Sequence, residues 1–249
     1  MVSINKIFAL CLGLLLCSTA ISANAAGPVL RVALLDDTPP ASYLDTEGKL
    51  TGFYPSLARA LCAEMKADCQ FHAAKLDYLI DELATDHFDI VATGLLKTPE
   101  RSKKVLFTNP VYRSLTMWFA RPGVKPGRAG IRVSTFKGSA QESYSRTRHW
   151  ETITALDYNQ MLEQLSAGIA QAALVPLMTC ILLRQNEQFA TLGLESSVLE
   201  VPELGGYARF AINPRHPELR EQVNRALEKI KRNGTYDRIN SEFLPFRVE

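Results

Sequence analysis

Apolar residues in this chain come in short blocks of two kinds, and the kinds alternate. "LRVALL" at 30–35, "CQFHAAK" at 69–75 and "FDIVATG" at 88–94 are too short for helices and rich in strand formers, so they read as buried strands. Between them apolar residues recur at helical spacing. One helix opens near Pro55 and carries Leu57, Leu61 and Met65 on one face, and "YLIDELATD" at 78–86 supplies another. The "DDTPP" of 36–40 reads as a turn or loop, and the Gly48–Gly52 stretch turns the chain into the first helix. At 92–112, "ATGLLKTPERSKKVLFTNPVY" ends a strand and opens a helix with Thr98 as N-cap before Pro99.

The same rhythm then restarts. "GIRVSTF" at 130–136 reads as a strand, "SAQESYSRTR" at 139–148 and "YNQMLEQLSAG" at 158–168 as helices, and "QAALVPL" at 171–177 as a strand running into a helix. "SLTMWFARPGVKPGR" at 114–128 lies between the two units as the crossing point. The chain closes with the strand-like "GYARFAINP" at 206–214 and an amphipathic helix from Pro217 to about Asn233, with Leu219, Val223, Leu227 and Ile230 at helical spacing. The expected fold is α/β: two units in tandem, each a mostly parallel sheet flanked by helices.

The N-terminus changes the cellular setting. Lys6, an apolar run from Ile7 to Leu16 and a small-residue end at Ala23-Asn24-Ala25 have the three-part layout of a secretory signal peptide, with cleavage expected after Ala25. A membrane span needs roughly 20 apolar residues, more than this run has. Leu10 and Leu16 precede Cys11 and Cys17, where a lipidation signal needs a small residue. Without the leader, 27 basic residues face 26 acidic ones, and this balance gives no electrostatic case for nucleic acid or a membrane surface as partner.

The two leader cysteines leave with it. Cys62 and Cys69 flank a short connection in an oxidising compartment and are expected to form a disulfide, which leaves Cys180 as a buried thiol in "LVPLMTCILL". No metal site or cofactor is expected, because His72, His87, His149 and His216 have no ligand-like spacing. No nucleophile-elbow sequence is present. Asn233-Gly234-Thr235 matches a glycosylation sequon but reads as a turn.

Four blocks in order, "LRVALLDDTPPASYLDTEGKLTGFYPSLARAL", "FDIVATGLLKTPERSKKVLFTNPVY", "FKGSAQESY" and "NPRHPELREQVNRALEKIKRNGTYDRINSEFL", resemble the periplasmic solute-binding proteins that serve polar amino acid ABC transporters. The resemblance covers essentially the whole mature chain. It implies two lobes, 26–113 with 208–249 and 114–207, closing on a ligand held between them, and the Cys62 and Cys69 spacing resembles a disulfide in histidine-binding and lysine, arginine and ornithine-binding members. The expected partners are a small molecule with a carboxylate or similar anionic head and an inner-membrane permease, with the receptor monomeric in the periplasm.

The resemblance also assigns residues. Arg101 of the "TPER" turn corresponds to the arginine that grips the ligand carboxylate, a task suited to a planar guanidinium; alone it would read as a solvated helix charge. Thr93 and Gly94 end the strand before it. Ser139, Ala140 and Gln141 open a helix whose unpaired amides favour a carboxylate, and Ser139 with Glu142 also forms a capping box. Elsewhere the chain departs from the family pattern. Pro176 stands where an acid receives the ligand ammonium, Leu35 where basic amino acid binders carry an acid, Thr38 and Leu76 where two aromatic walls stand, and Leu96 where a hydroxyl is usual. Asp36 and Asp37 lie next to Leu35 as substitutes for its acid, and a one-residue shift of the alignment in the 170s would bring Glu187 or Asp157 nearer the cleft. These departures point to an anionic or atypical amino-acid-like ligand with a less polar body, lined by Leu35, Leu76, Leu96 and Phe136. The rival readings are a cleft enzyme related to cyclohexadienyl dehydratase, needing an acid of raised pKa, and a degenerate receptor acting as a sensor or docking protein.

Overall fold

Residues 29–248 are described by the computed structural model; the leader expected over residues 1–25 lies outside them. Strand β1 (Val29–Leu35) is buried from Val32 onward, as a strand covered on both faces must be. The "DDTPP" segment expected as a loop instead begins a small antiparallel sheet of β2 (Asp37–Thr38), β3 (Ser42–Leu44) and β4 (Leu50–Thr51). Strands of two or three residues carry too few positions to show a period. Helix α1 (Phe53–Met65) starts two residues before Pro55 and buries Phe53, Leu57 and Leu61. Pro55 sits in the first turn, where its missing N–H breaks no intrahelical bond.

Strand β5 (Asp68–Ala74), helix α2 (Leu76–Ala84) and strand β6 (Ile90–Leu96) follow as expected. The helix expected after Thr98 is a single turn, α3 (Pro99–Ser102), in which Thr98 Oγ1 accepts from the Arg101 amide at 3.2 Å. Strands β7 (Leu106–Phe107) and β8 (Tyr112–Ser114) complete the first pass.

The chain then enters the second sheet through β9 (Thr116–Ala120), so the crossing falls between Ser114 and Thr116, at the start of the 114–128 segment. Next come β10 (Arg132–Phe136), α4 (Ala140–Thr147), β11 (Glu151–Ala155), α5 (Tyr158–Ser166), β12 (Ala172–Pro176), α6 (Leu177–Gln185), α7 (Glu187–Ala190) and β13 (Glu195–Val198). The return strand β14 (Gly206–Ile212) rejoins the first sheet, and α8 (Pro217–Arg232) and α9 (Thr235–Phe243) close the chain. Besides the short β2, β3, β4, β7 and β8, the sequence also hid strands β11 and β13. Both lie at the edge of their sheet and carry polar residues, as edge strands do.

The first sheet runs β5-β1-β6-β14-β7, with β8 also on β14, and the second β11-β10-β12-β9-β13. Three strands of each are parallel; β14 and β9 run antiparallel to their neighbours β6 and β12. The sheets are therefore more mixed than the alternation of blocks implied. A strand arriving straight from the other unit needs no crossover helix and can pair antiparallel. Apolar side chains cross the divide in both directions: Met178 and Ile181 of α6 join the core around Phe53 and Phe210, and Leu96 joins the cluster around Trp118 and Leu174.

The Cys62–Cys69 disulfide ties the end of α1 to β5, and Cys180 is buried and free. Closing so short a loop stabilises by about 2 kcal/mol on the chain-entropy estimate. A Cys62→Ser/Cys69→Ser variant should lose that amount in urea unfolding, with the denaturant slope changed because the unfolded chain is less constrained. Among the described residues no helix is long and apolar enough to cross a membrane.

Candidate functional site

The C-terminal ends of parallel strands from both sheets converge on one cavity of about 90 Å³: Leu35 from β1, Thr93, Gly94 and Leu95 from β6, Phe136 from β10 and Pro176 from β12. Strand ends and helix starts meet there because every strand–helix turn of an α/β unit lies at that edge. The first unit adds Asp37 and Thr38, Tyr54 of α1, Lys75 and Leu76 at the start of α2, and Tyr112. The second adds Ser139, the turn Leu156-Asp157-Tyr158, Met178 and Thr179.

Of the residues expected at the site, Leu35, Thr38, Leu76, Thr93, Gly94, Phe136, Ser139 and Pro176 line this cavity. Arg101, Leu96, Ala140 and Gln141 are buried and are not among the residues that line it. Gln141 is 2 % exposed and donates from Nε2 to Thr116 Oγ1 at 2.9 Å, fastening α4 to the crossing segment. Ser139 Oγ accepts from the Glu142 amide at 3.0 Å, but the Glu142 carboxylate receives the Gly138 N–H at 2.8 Å, one residue earlier than a capping box has it. The Ser139 amide itself donates to Phe136 O at 3.1 Å. The first-turn amides left without an intrahelical acceptor are those of Ala140 and Gln141.

Arg101 is only 9 % exposed, so it is not the solvated helix charge of the bland reading. Its Nη1 donates to Leu96 O at 2.9 Å and its Nη2 to Gly138 O at 2.8 Å, so the guanidinium spans the two units. Burial lowers its pKa to about 10, opposed by the neighbouring Glu100, and it remains charged at neutral pH. Both protein acceptors are carbonyls, leaving the remaining donors of the guanidinium for an anion.

Carboxylates have not disappeared from the cavity. Asp37 and Asp157 both line it, one from each unit, although Pro176 and Leu35 occupy the positions the family pattern gives to acids. Lys75 Nζ sits 2.7 Å from Asp36 Oδ1 and 3.4 Å from Asp37 Oδ2. Burial pushes the Asp37 carboxyl up from its ordinary range; Lys75 opposes the shift, while Asp36 and Asp157 add to it. Asp157 Oδ1 accepts from the Gln160 amide at 2.9 Å as the cap of α5. Glu187 lies in α7, outside the lining.

The polar floor is a tyrosine pair. Tyr54 Oη and Tyr112 Oη lie 2.5 Å apart, and burial pushes the Tyr112 phenol up to about 12 and that of Tyr54 well above its usual value. Both stay neutral. Sequence reasoning missed them, and it missed Lys75, Leu156 and Tyr158 as well. Recognising β11 would have placed 156–158 at the cleft, because the turn after a parallel strand lies at the same edge as its neighbours' turns.

Asp86, Asp89 and His216 come together on the first unit. Arg31 and Arg215 already neutralise the two aspartates, so the cluster is an ion-pair knot.

Two α/β units with a cavity between their strand ends define a two-lobed binding protein of the periplasmic type. The family profile of the bacterial extracellular solute-binding proteins, family 3, matches residues 30–246, and the chain belongs to that family. It is 30% identical over 245 residues to ABC transporter arginine-binding protein 1 of Escherichia coli (strain K12), covering 95% of this chain and 98% of that one. The lysine/arginine/ornithine-binding periplasmic protein of the same strain is 28% identical over 245 residues, 93% of this chain and 94% of its own. Among solved structures, an ancestral amino acid-binding protein that is a precursor of cyclohexadienyl dehydratase superposes with a TM-score of 0.72 at 26% identity, over 86% of this chain and 95% of that one. Both of these relatives are named as binding proteins for amino acids.

Proposed function

We propose that this protein is a periplasmic receptor for a compact amino-acid-like ligand, which it delivers to an ABC permease of the inner membrane. The ligand carboxylate is received by Arg101 and the first turn of α4, and its cationic group by Asp37 and Asp157. The observation that carries this reading is Arg101, a buried cation spanning both units with carbonyls as its protein acceptors. Burying a charge without a counter-charge is costly, and a ligand carboxylate relieves that cost when the units close.

Asp37 and Asp157 favour an amino-acid-like ligand over a purely anionic one, since an anionic body would meet two carboxylates that already repel each other. Apart from Lys75 the rest of the wall is apolar or neutral, with Thr38 and Leu76 at the two positions where the family pattern has aromatic walls. In this conformation the space is about 90 Å³, below the ~150 Å³ cavity that takes a benzene, so the ligand is compact or enters a wider cleft.

A thermal-shift and calorimetric panel tests the proposal with amino acids, their deaminated carboxylates and their decarboxylated amines. Ligand at a hundred times its Kd adds about 2.7 kcal/mol of stability, and only compounds bearing both charges should do so. Deaminated carboxylates that bind as tightly as their amino counterparts would refute the two-headed ligand. The pH dependence is a second check. A cationic ligand favours ionised Asp37, so binding releases a proton and affinity should fall as pH drops through the raised Asp37 pKa. Arg101 stays charged throughout that range.

Asp37, a carboxyl raised by burial inside the cavity, is also the group a cleft enzyme would use as general acid. Ligand recovered unchanged after prolonged incubation with stoichiometric protein decides for the receptor.

A further inference from the structure

Beside the cavity, the turn between β10 and α4 meets the start of α2 from the other unit. Lys137 Nζ lies 3.1 Å from Asp77 Oδ2, and the same ammonium sits 5.7 Å from the centroid of the Tyr78 ring. Gly138, at φ +76°, packs so closely that a Cβ there would come within 2.7 Å of Asp77 Cα. The flanking residues Leu76, Phe136 and Ser139 all line the cavity, so these contacts stand at its edge.

We propose that Lys137, Asp77 and Tyr78 form a closure latch, a contact that holds the two units together over the cavity independently of any ligand. Lys137 and Asp77 are on this view positioning residues for capture. An exposed ion pair by itself contributes little, and Lys137 is 46% exposed, but three features distinguish this one. The Asp77 side chain is only 10% exposed; it lies in the first turn of α2, where the helix dipole favours its charge; and the ion pair, the aromatic face and the backbone approach coincide on one pair of turns. Every one of these contacts joins different units, so all are lost when the units separate. Interactions made only in the closed form shift the open–closed equilibrium by their whole worth. The unliganded receptor then spends part of its time closed, and a ligand that fits a partly closed cleft loses less affinity to conformational selection.

The test is a double-mutant cycle on unliganded protein, with Lys137→Ala, Asp77→Asn and the pair, read by small-angle X-ray scattering and by single-molecule energy transfer between dyes on the two units. Either single substitution should lower the closed-to-open ratio about two- to fivefold, the range of exposed ion pairs, and the double should lower it no further. Wild-type protein in about 1 M salt, where the screening length falls to about 3 Å, should shift in the same direction. Urea midpoints of all variants should stay close to wild type, which separates opening from unfolding. Unchanged distance distributions, or single effects that add in the double variant, would overturn the latch. Because no ligand enters these measurements, the outcome is independent of the ligand assigned above.

Discussion

Arg101→Ala is expected to abolish ligand-dependent stabilisation while leaving a folded protein. Truncating one partner of a buried charged pair costs about 2–5 kcal/mol, which corresponds to an affinity loss of about 30-fold to about 5,000-fold. In the unliganded protein two effects oppose each other: the carbonyls of Leu96 and Gly138 lose their donor, and the desolvation cost of a buried charge, only partly offset by Glu100, is removed. The unliganded urea midpoint should therefore move far less than the affinity. Arg101→Lys separates charge from shape. An ammonium retains the charge but cannot reach two carbonyls and a carboxylate with one planar fork, so it should recover only part of the binding. An Ala variant that binds within threefold of wild type would show that the carboxylate is held elsewhere.

Gly94→Ala should cost nearly as much, by a different route. Gly94 lines the cavity, and a Cβ there would be driven into Tyr54 Oη and to 2.7 Å from Tyr112 Oη. Both rings are buried and packed, Tyr54 edge-on to Phe210 and Tyr112 edge-on to Phe53, so neither hydroxyl can swing aside. Overpacking of this kind costs about 1–3 kcal/mol, and any relief has to come from moving β6 or the tyrosines into the ligand space. We expect a lower urea midpoint together with lost binding. Adding Tyr54→Phe removes the nearest clashing atom, so the double variant should be more stable than the sum of the single effects predicts. Simple additivity would mean that the tyrosine pair is not what makes alanine intolerable.

These two positions show how unevenly the site was written in the chain. Arg101 was singled out through the order of motifs around it, since a lone arginine after Thr-Pro-Glu has no sequence signal for burial. Leu35, Thr38, Leu76, Phe136, Ser139 and Pro176 were singled out through the resemblance to the family's blocks, and they line the cavity at strand ends and helix starts. Asp157 and Tyr158 escaped that rule because β11 is an edge strand with one large apolar residue, Ile153, so the turn that follows it carried no signal. Pro176 stands at the end of β12, while carboxylates line the cavity from two other turns, Asp37 after β1 and Asp157 after β11. A carboxylate can enter from a different turn of the same rim, and an alignment of positions does not see that.

The sequence by itself determined the alternation of strands and helices, the two tandem α/β units, the disulfide partners and the face that each long helix buries, because each depends on local periodicity or short-range spacing. Tertiary structure alone decided which groups face one another across the cleft: Asp37 with Asp157, Lys137 with Asp77, and Arg101 with the Gly138 carbonyl of the other unit. These pairs are made by residues 37 to 120 positions apart in the chain, and their meeting is set by how one sheet is seated against the other. No local pattern of apolar and polar residues encodes that seating.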